Sequence, residues 1–108
     1  MINYVVICEN DTVESTIEFG LQNYLTGRDD YIVFEYDLPV GIRMTIMGTI
    51  TNNESNLKTI VVKEGEDTGF IDLKHSKFSI VKVKVERNEN YTDGKASIYA
   101  KPYRILYQ

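Results

Sequence analysis

The stretch Leu57–Leu73, LKTIVVKEGEDTGFIDL, decides the reading of this chain. Two apolar, β-branched runs flank the acidic turn Glu64-Gly65-Glu66-Asp67-Thr68-Gly69. Short runs rich in Val, Ile and Phe, bounded by Gly and Asp, read as strands, and a brief Gly-containing connection between two of them reads as a hairpin. The first expectation is a central hairpin, Leu57–Lys63 with Thr68–Leu73, inside an all-β domain.

The same pattern recurs on both sides. Tyr31–Leu38 alternates, with Ile32, Phe34, Tyr36 and Leu38 on one face and Glu35 and Asp37 on the other. Ile42–Ile50 sets Ile42, Met44, Ile46, Gly48 and Ile50 against Arg43, Thr45, Met47 and Thr49. Successive side chains of a strand point to opposite faces, so a period of two implies one buried face and one wet face. Ile2–Cys8, Val13–Phe19, Ser79–Val85 and Ala96–Tyr107 complete the set. Val81, Val83 and Val85 share one phase while Phe78 and Ile80 hold the other, which predicts a bulge or strand start near Ile80. Lys82 and Lys84 fall on the outer face of that strand. One helical turn around Leu21–Tyr24 is the only helical expectation.

Seven to eight short strands at spacings of about 8–14 residues are the mark of an all-β sandwich or barrel. The 108 residues make a single domain, 1–108. The fold expected is a single antiparallel β-sandwich, immunoglobulin-like or Greek-key, with a small barrel as the alternative. Its core is expected to hold Ile32, Phe34, Tyr36, Ile46, Ile60, Val62, Phe70, Val83 and Ile98.

The run Ile60–Leu73 resembles the "apolar strand, x-G-E-x-T/S-x, apolar strand" element of Calx-beta and related immunoglobulin-like modules. The resemblance covers about a sixth of the chain. It implies a Gly in a backbone conformation closed to other residues and a small hydroxyl residue opening the return strand. Calcium-binding members carry clustered acids after the second strand. Here Lys74-His75-Ser76-Lys77 follows, which is basic, so calcium binding does not carry over and no metal is expected.

A net charge of −4 argues against a nucleic-acid groove or an anionic membrane as partner. The one cysteine, Cys8, excludes an intramolecular disulfide and reads as a small buried hydrophobe. No signal-peptide pattern and no run long enough to span a membrane is present, which points to the virion or the host cytoplasm. Three Asn-X-Ser/Thr triplets, at Asn10, Asn53 and Asn90, fall in Asn-rich turns and are read as incidental. His75 is the sole histidine, set between lysines in a polar turn. Neither Asp29, Asp30 and Asp37 nor Glu64, Glu66 and Asp67 form a recognisable ligand spacing. No phosphate loop, nucleophile elbow or zinc motif occurs, so no catalytic residues, no cofactor and no enzymatic activity are expected.

The suggestive non-core feature is the C-terminal run with Tyr99, Lys101, Tyr103, Arg104 and Tyr107. Pro102 cannot donate to a ladder, so this run is expected to be an edge strand or a bulged one, whose aromatics and cations contact protein or whose tyrosines cap the core from its rim. By fold-level analogy the chain reads as a non-enzymatic structural protein of a bacteriophage virion, a decoration, fibre or connector component. Its partners would be other virion proteins and further copies of itself. Two alternatives stand beside this. One is a carbohydrate- or ligand-binding module using Thr51–Asn56 with Arg87–Lys95 at one end of the sandwich. The other is a small intracellular inhibitor.

Overall fold

Alternating and β-branched runs give eight strands in the computed structural model, which describes residues 4–21, 31–49, 54–74, 80–88 and 94–103. They are β1 (Val5–Thr12), β2 (Ile17–Gly20), β3 (Tyr31–Leu38), β4 (Ile42–Gly48), β5 (Lys58–Glu64), β6 (Asp67–Lys74), β7 (Ile80–Arg87) and β8 (Lys95–Tyr103). A 3-10 turn, Glu54–Asn56, precedes β5. The helical turn expected at Leu21–Tyr24 falls largely on residues outside the described ones.

Two four-stranded antiparallel sheets form, in the orders β1-β8-β3-β6 and β2-β7-β4-β5. The antiparallel β-sandwich read from the strand spacing is therefore present. The pairs β4–β5, β3–β6, β2–β7 and β1–β8 are nested, with β3–β8 and β4–β7 joining them into sheets. That is the jelly-roll form of the Greek-key sandwich, a long hairpin rolled so that its halves alternate between sheets.

Both inner faces close over one core. Phe34, Ile32, Leu38, Ile42, Met44, Ile46, Val83, Val85 and Ile98 are all fully buried. Ile60 packs against this core as a partly buried member. The bulge anticipated near Ile80 is present. Lys82 pairs with Met47 and Ile80 with Gly48, so β7 takes two steps where β4 takes one.

The opening stretch is a corner rather than a hairpin. β5 pairs with β4 and β6 pairs with β3, so the chain leaves one sheet at Glu64 and enters the other at Asp67. Gly65 does not hold a left-handed conformation; among the described residues, Gly41, Asn10 and Glu66 do. What demands glycine at 65 is close approach. A Cβ there would meet Gly41 N and Pro39 O at 2.8 Å and Val40 Cα at 3.0 Å. The Gly65 amide donates to Ile42 O at 2.8 Å, and the Asn88 amide donates to Gly41 O at the same distance. The β3–β4, β5–β6 and β7–β8 connections thus meet at one end of the sandwich.

The corner also accounts for two core assignments that fail. Phe70 is 75% exposed and Val62 is 45% exposed. Phe70 lies opposite Glu35, a wet position, because β6 takes its phase from β3. On β5, Val61 pairs with Ile46 and Thr59 with Met47, so Ile60 is bulged and Lys63, not Val62, shares the inward phase opposite Met44.

Candidate functional site: the outer face of the β1-β8-β3-β6 sheet

The outward positions of this sheet form rows across its strands. Ser97, Asp37 and Thr68 make one row. Val6, Tyr99, Glu35 and Phe70 make the next. Lys101, Val33 and Asp72 follow, then Tyr103 and Tyr31. The inward positions between them are Ile98, Ala100, Phe34 and Tyr36, which is why Tyr99, Lys101 and Tyr103 point away from the core.

Three of the expected contact residues therefore share this face. Arg104 and Tyr107 lie outside the described residues. The strand carrying the three is not an edge. β8 sits between β1 and β3. Pro102 is tolerated because, among the described residues, β1 reaches only as far as Ala100, leaving β3 as the neighbour of Pro102.

The aromatic side chains interact in pairs. Tyr31 and Tyr103 stack with centroids 5.4 Å apart and planes 17° from parallel. Tyr4 meets Tyr99 edge-on at 5.9 Å. Tyr4 is 59% exposed and Val6 40%, so apolar side chains stand out at the β1 edge, with Glu35 separating Tyr99 from Phe70. The Tyr103 hydroxyl donates to Asp72 Oδ2 at 2.5 Å. That bond, then burial, the Asp72 charge and Tyr31, push its pKa up to about 12. Tyr99 is raised too, chiefly by burial, with the Glu9 carboxylate adding to it.

Between Tyr99 and Phe70 stands Glu35, exposed, its carboxylate without a hydrogen bond or ion pair to any other described side chain. Glu35, Asp37, Thr68, Phe70, Ser97 and Tyr99 line a shallow trough of about 350 Å³, with Tyr36 and Gly69 beneath. Thr68 Oγ1 donates to Asp37 Oδ1 at 2.9 Å, holding that acid in place. A carboxylate flanked by two aromatic faces suits a cation, through charge and through the negative ring faces together.

The opposite sheet presents a different outer face. Arg43 pairs with Glu64 at 2.7 Å, Lys82 with Glu18 at 3.8 Å and Lys84 with Glu86 at 3.7 Å. Its charges are balanced by neighbours. Two acids of the Glu64–Asp67 corner are also occupied, Glu64 by Arg43 and Asp67 by the Tyr36 hydroxyl at 3.3 Å.

The described parts of the end-loop site proposed from sequence do not come together. The β4–β5 connection follows Gly48, which pairs with Ile80 at the start of β7, while the β7–β8 connection follows Arg87 at its far end. Of these segments, the described residues Glu54–Asn56 lie at one end of the sandwich and Arg87, Asn88, Gly94 and Lys95 at the other; the rest lie outside the described residues. His75 lies outside the described residues. No helix among the described residues is long and apolar enough to cross a membrane.

Cys8 is 3% exposed and faces inward opposite Ile98. Burial raises its thiol from 9.0 to about 11, the Asp11 charge adds to this, and a backbone hydrogen bond from Ile98 partly offsets it. The folded chain holds this proton more tightly than the unfolded one. The resulting stabilisation is complete below about pH 9 and is lost as the pH rises toward 11. By linkage it amounts to about 2–3 kcal/mol. In urea titrations, Cys8→Ala should therefore flatten the loss of stability across that alkaline window; an unchanged pH slope would refute the assignment.

Comparison of the chain with models of known families, with curated proteins and with solved structures returned no match.

Proposed function

We propose that this chain is a non-enzymatic assembly protein, a virion component that docks on another protein through the outer face of the β1-β8-β3-β6 sheet. The observation supporting this is a row of exposed Val6, half-buried Tyr99, Glu35 and exposed Phe70 on one sheet, with exposed Tyr4 against Tyr99, while the other sheet carries paired charges. Large exposed aromatic patches are uncommon on soluble monomers and mark contact surfaces. Glu35 between its rings calls for a partner that offers arginine or lysine there. Jelly rolls serve as capsid and lectin domains, which supports the virion reading by analogy of fold alone.

The test is mass spectrometry of purified particles from the source of the gene, followed by re-binding. The chain should be present in the particles at defined stoichiometry. A variant combining Tyr4→Ala and Tyr99→Ala should bind stripped particles at least about tenfold more weakly. Absence from particles, or unweakened binding by the variant, would overturn the proposal.

A second reading draws on the trough itself. Aromatic rings beside Glu35, Asp37 and Ser97 also suit a sugar ring, stacked below and hydrogen-bonded at its rim. Glycan-array binding lost in Tyr99→Ala would favour a lectin-like role, and an array without hits would discard it.

A further inference from the structure

We propose that the free edge of β6 pairs with β6 of a second copy, joining two sandwiches into one continuous eight-stranded sheet. The inference does not depend on what the outer face contacts. It rests on a comparison of the four sheet edges, β1, β6, β2 and β5.

A bare edge presents unpaired N–H and C=O groups, and proteins ordinarily blunt it. Three of these edges are blunted. β1 is interrupted by two register shifts, and Asn10 within it is left-handed at φ 51°. β2 has four residues only. β5 carries a bulge opposite Ile46 and Met47 and includes Lys58, Lys63 and Glu64. β6 has none of these devices at its middle. Its eight residues hold unbroken register against β3, from Tyr31 with Lys74 to Leu38 with Asp67. Its centre is Gly69-Phe70-Ile71, without charge, proline or bulge, and Phe70 is the most exposed of the large apolar residues described.

The strand is also complementary to itself. A two-fold axis normal to the sheet keeps both outer faces on the same side, so only positions of like parity can meet across it. Centred on Phe70, the axis sets Phe70 against its counterpart and Thr68 against Asp72. An aromatic pair at the centre, flanked on each side by a hydroxyl facing a carboxylate, is a cross-strand combination that stabilises antiparallel pairing. This makes a second copy the occupant, in antiparallel register.

Sedimentation velocity of the full chain should show a monomer–dimer equilibrium. Phe70→Lys, a change at an exposed site, should weaken it at least about tenfold while leaving thermal unfolding unmoved. Tyr99→Ala, on the face but away from the edge, should leave association within about twofold. Register is read by crosslinking with a short bis-maleimide, to which buried Cys8 is closed. Phe70→Cys should link to itself, Thr68→Cys alone should not, and an equimolar mixture of Thr68→Cys with Asp72→Cys should. A chain that stays monomeric at millimolar concentration overturns the proposal, and so does a dimer insensitive to Phe70→Lys. Linking of Thr68→Cys to itself overturns the register.

Discussion

Gly65→Ala is expected to destabilise the domain by about 2–3 kcal/mol. The added methyl would lie 2.8 Å from Gly41 N and Pro39 O, and 3.0 Å from Val40 Cα. All three obstacles are backbone, so no side-chain rotation relieves the clash. The corners at 39–41 and 65–66 must part instead, lengthening the bond from the Gly65 amide to Ile42 O. Because Gly65 does not hold a positive φ, Gly65→Ala imposes no dihedral penalty, and the loss is steric. Chemical denaturation should show a lower midpoint with an unchanged m-value. A variant as stable as the parent would mean that the two corners are not in contact.

The second large effect is a contrast between two phenylalanines on neighbouring strands. Phe34 is fully buried beneath the β1-β8-β3-β6 sheet, and removing its ring leaves a cavity in a core close-packed on all sides. Phe34→Ala should cost about 3–5 kcal/mol. Phe70, one register step away on the opposite face and 75% exposed, should tolerate alanine within about 0.5 kcal/mol. The hairpin reading of Leu57–Leu73 places both rings in the core and requires two large losses. Calorimetry of both variants therefore separates the corner from the hairpin, and a large loss at Phe70 would restore the latter.

Much of the architecture was open to reading because it depends on local periodicity. Tyr31–Leu38 was recovered to the residue, since four apolar and two acidic side chains leave only one phase. The irregularity near Ile80 showed because two apolar phases collide there. The partners of a strand are another matter. Apolar run, acidic turn and apolar run look alike whether the strands pair with each other or with β4 and β3. What forces the corner is contact between Gly65 and residues 39–41, remote in sequence. β8 was taken for an edge for a similar reason: Pro102 records a missing donor, not which side of the strand is open.

The candidate site was half legible. Period-two reading places Tyr99 and Tyr103 on one face of β8, and Lys101 shares it. Phe70, Glu35, Val6 and Tyr4 were not joined to them, since rows across a sheet follow from strand order. A signal did exist for Phe70: it shares parity with Asp72 and Thr68, and a charged residue two positions away marks the wet face. Its bulk and apolarity outweighed that parity.

The nested pairing has a consequence for how the chain acquires this fold. Only β4 and β5 are joined by a short connection within a single sheet; every other ladder brings together segments with other strands between them. Loop-closure entropy must be met before such contacts give anything back. Closing β4 on β5 shortens the effective loop for β3 on β6, which shortens it again for β2 on β7. The order of assembly thus runs from the inside of the roll outward, and β1 with β8, the ladder that bears the tyrosines, is the last to zip. Folding is therefore expected to be slow for a chain of this size, with the aromatic face taking its final form only at the end.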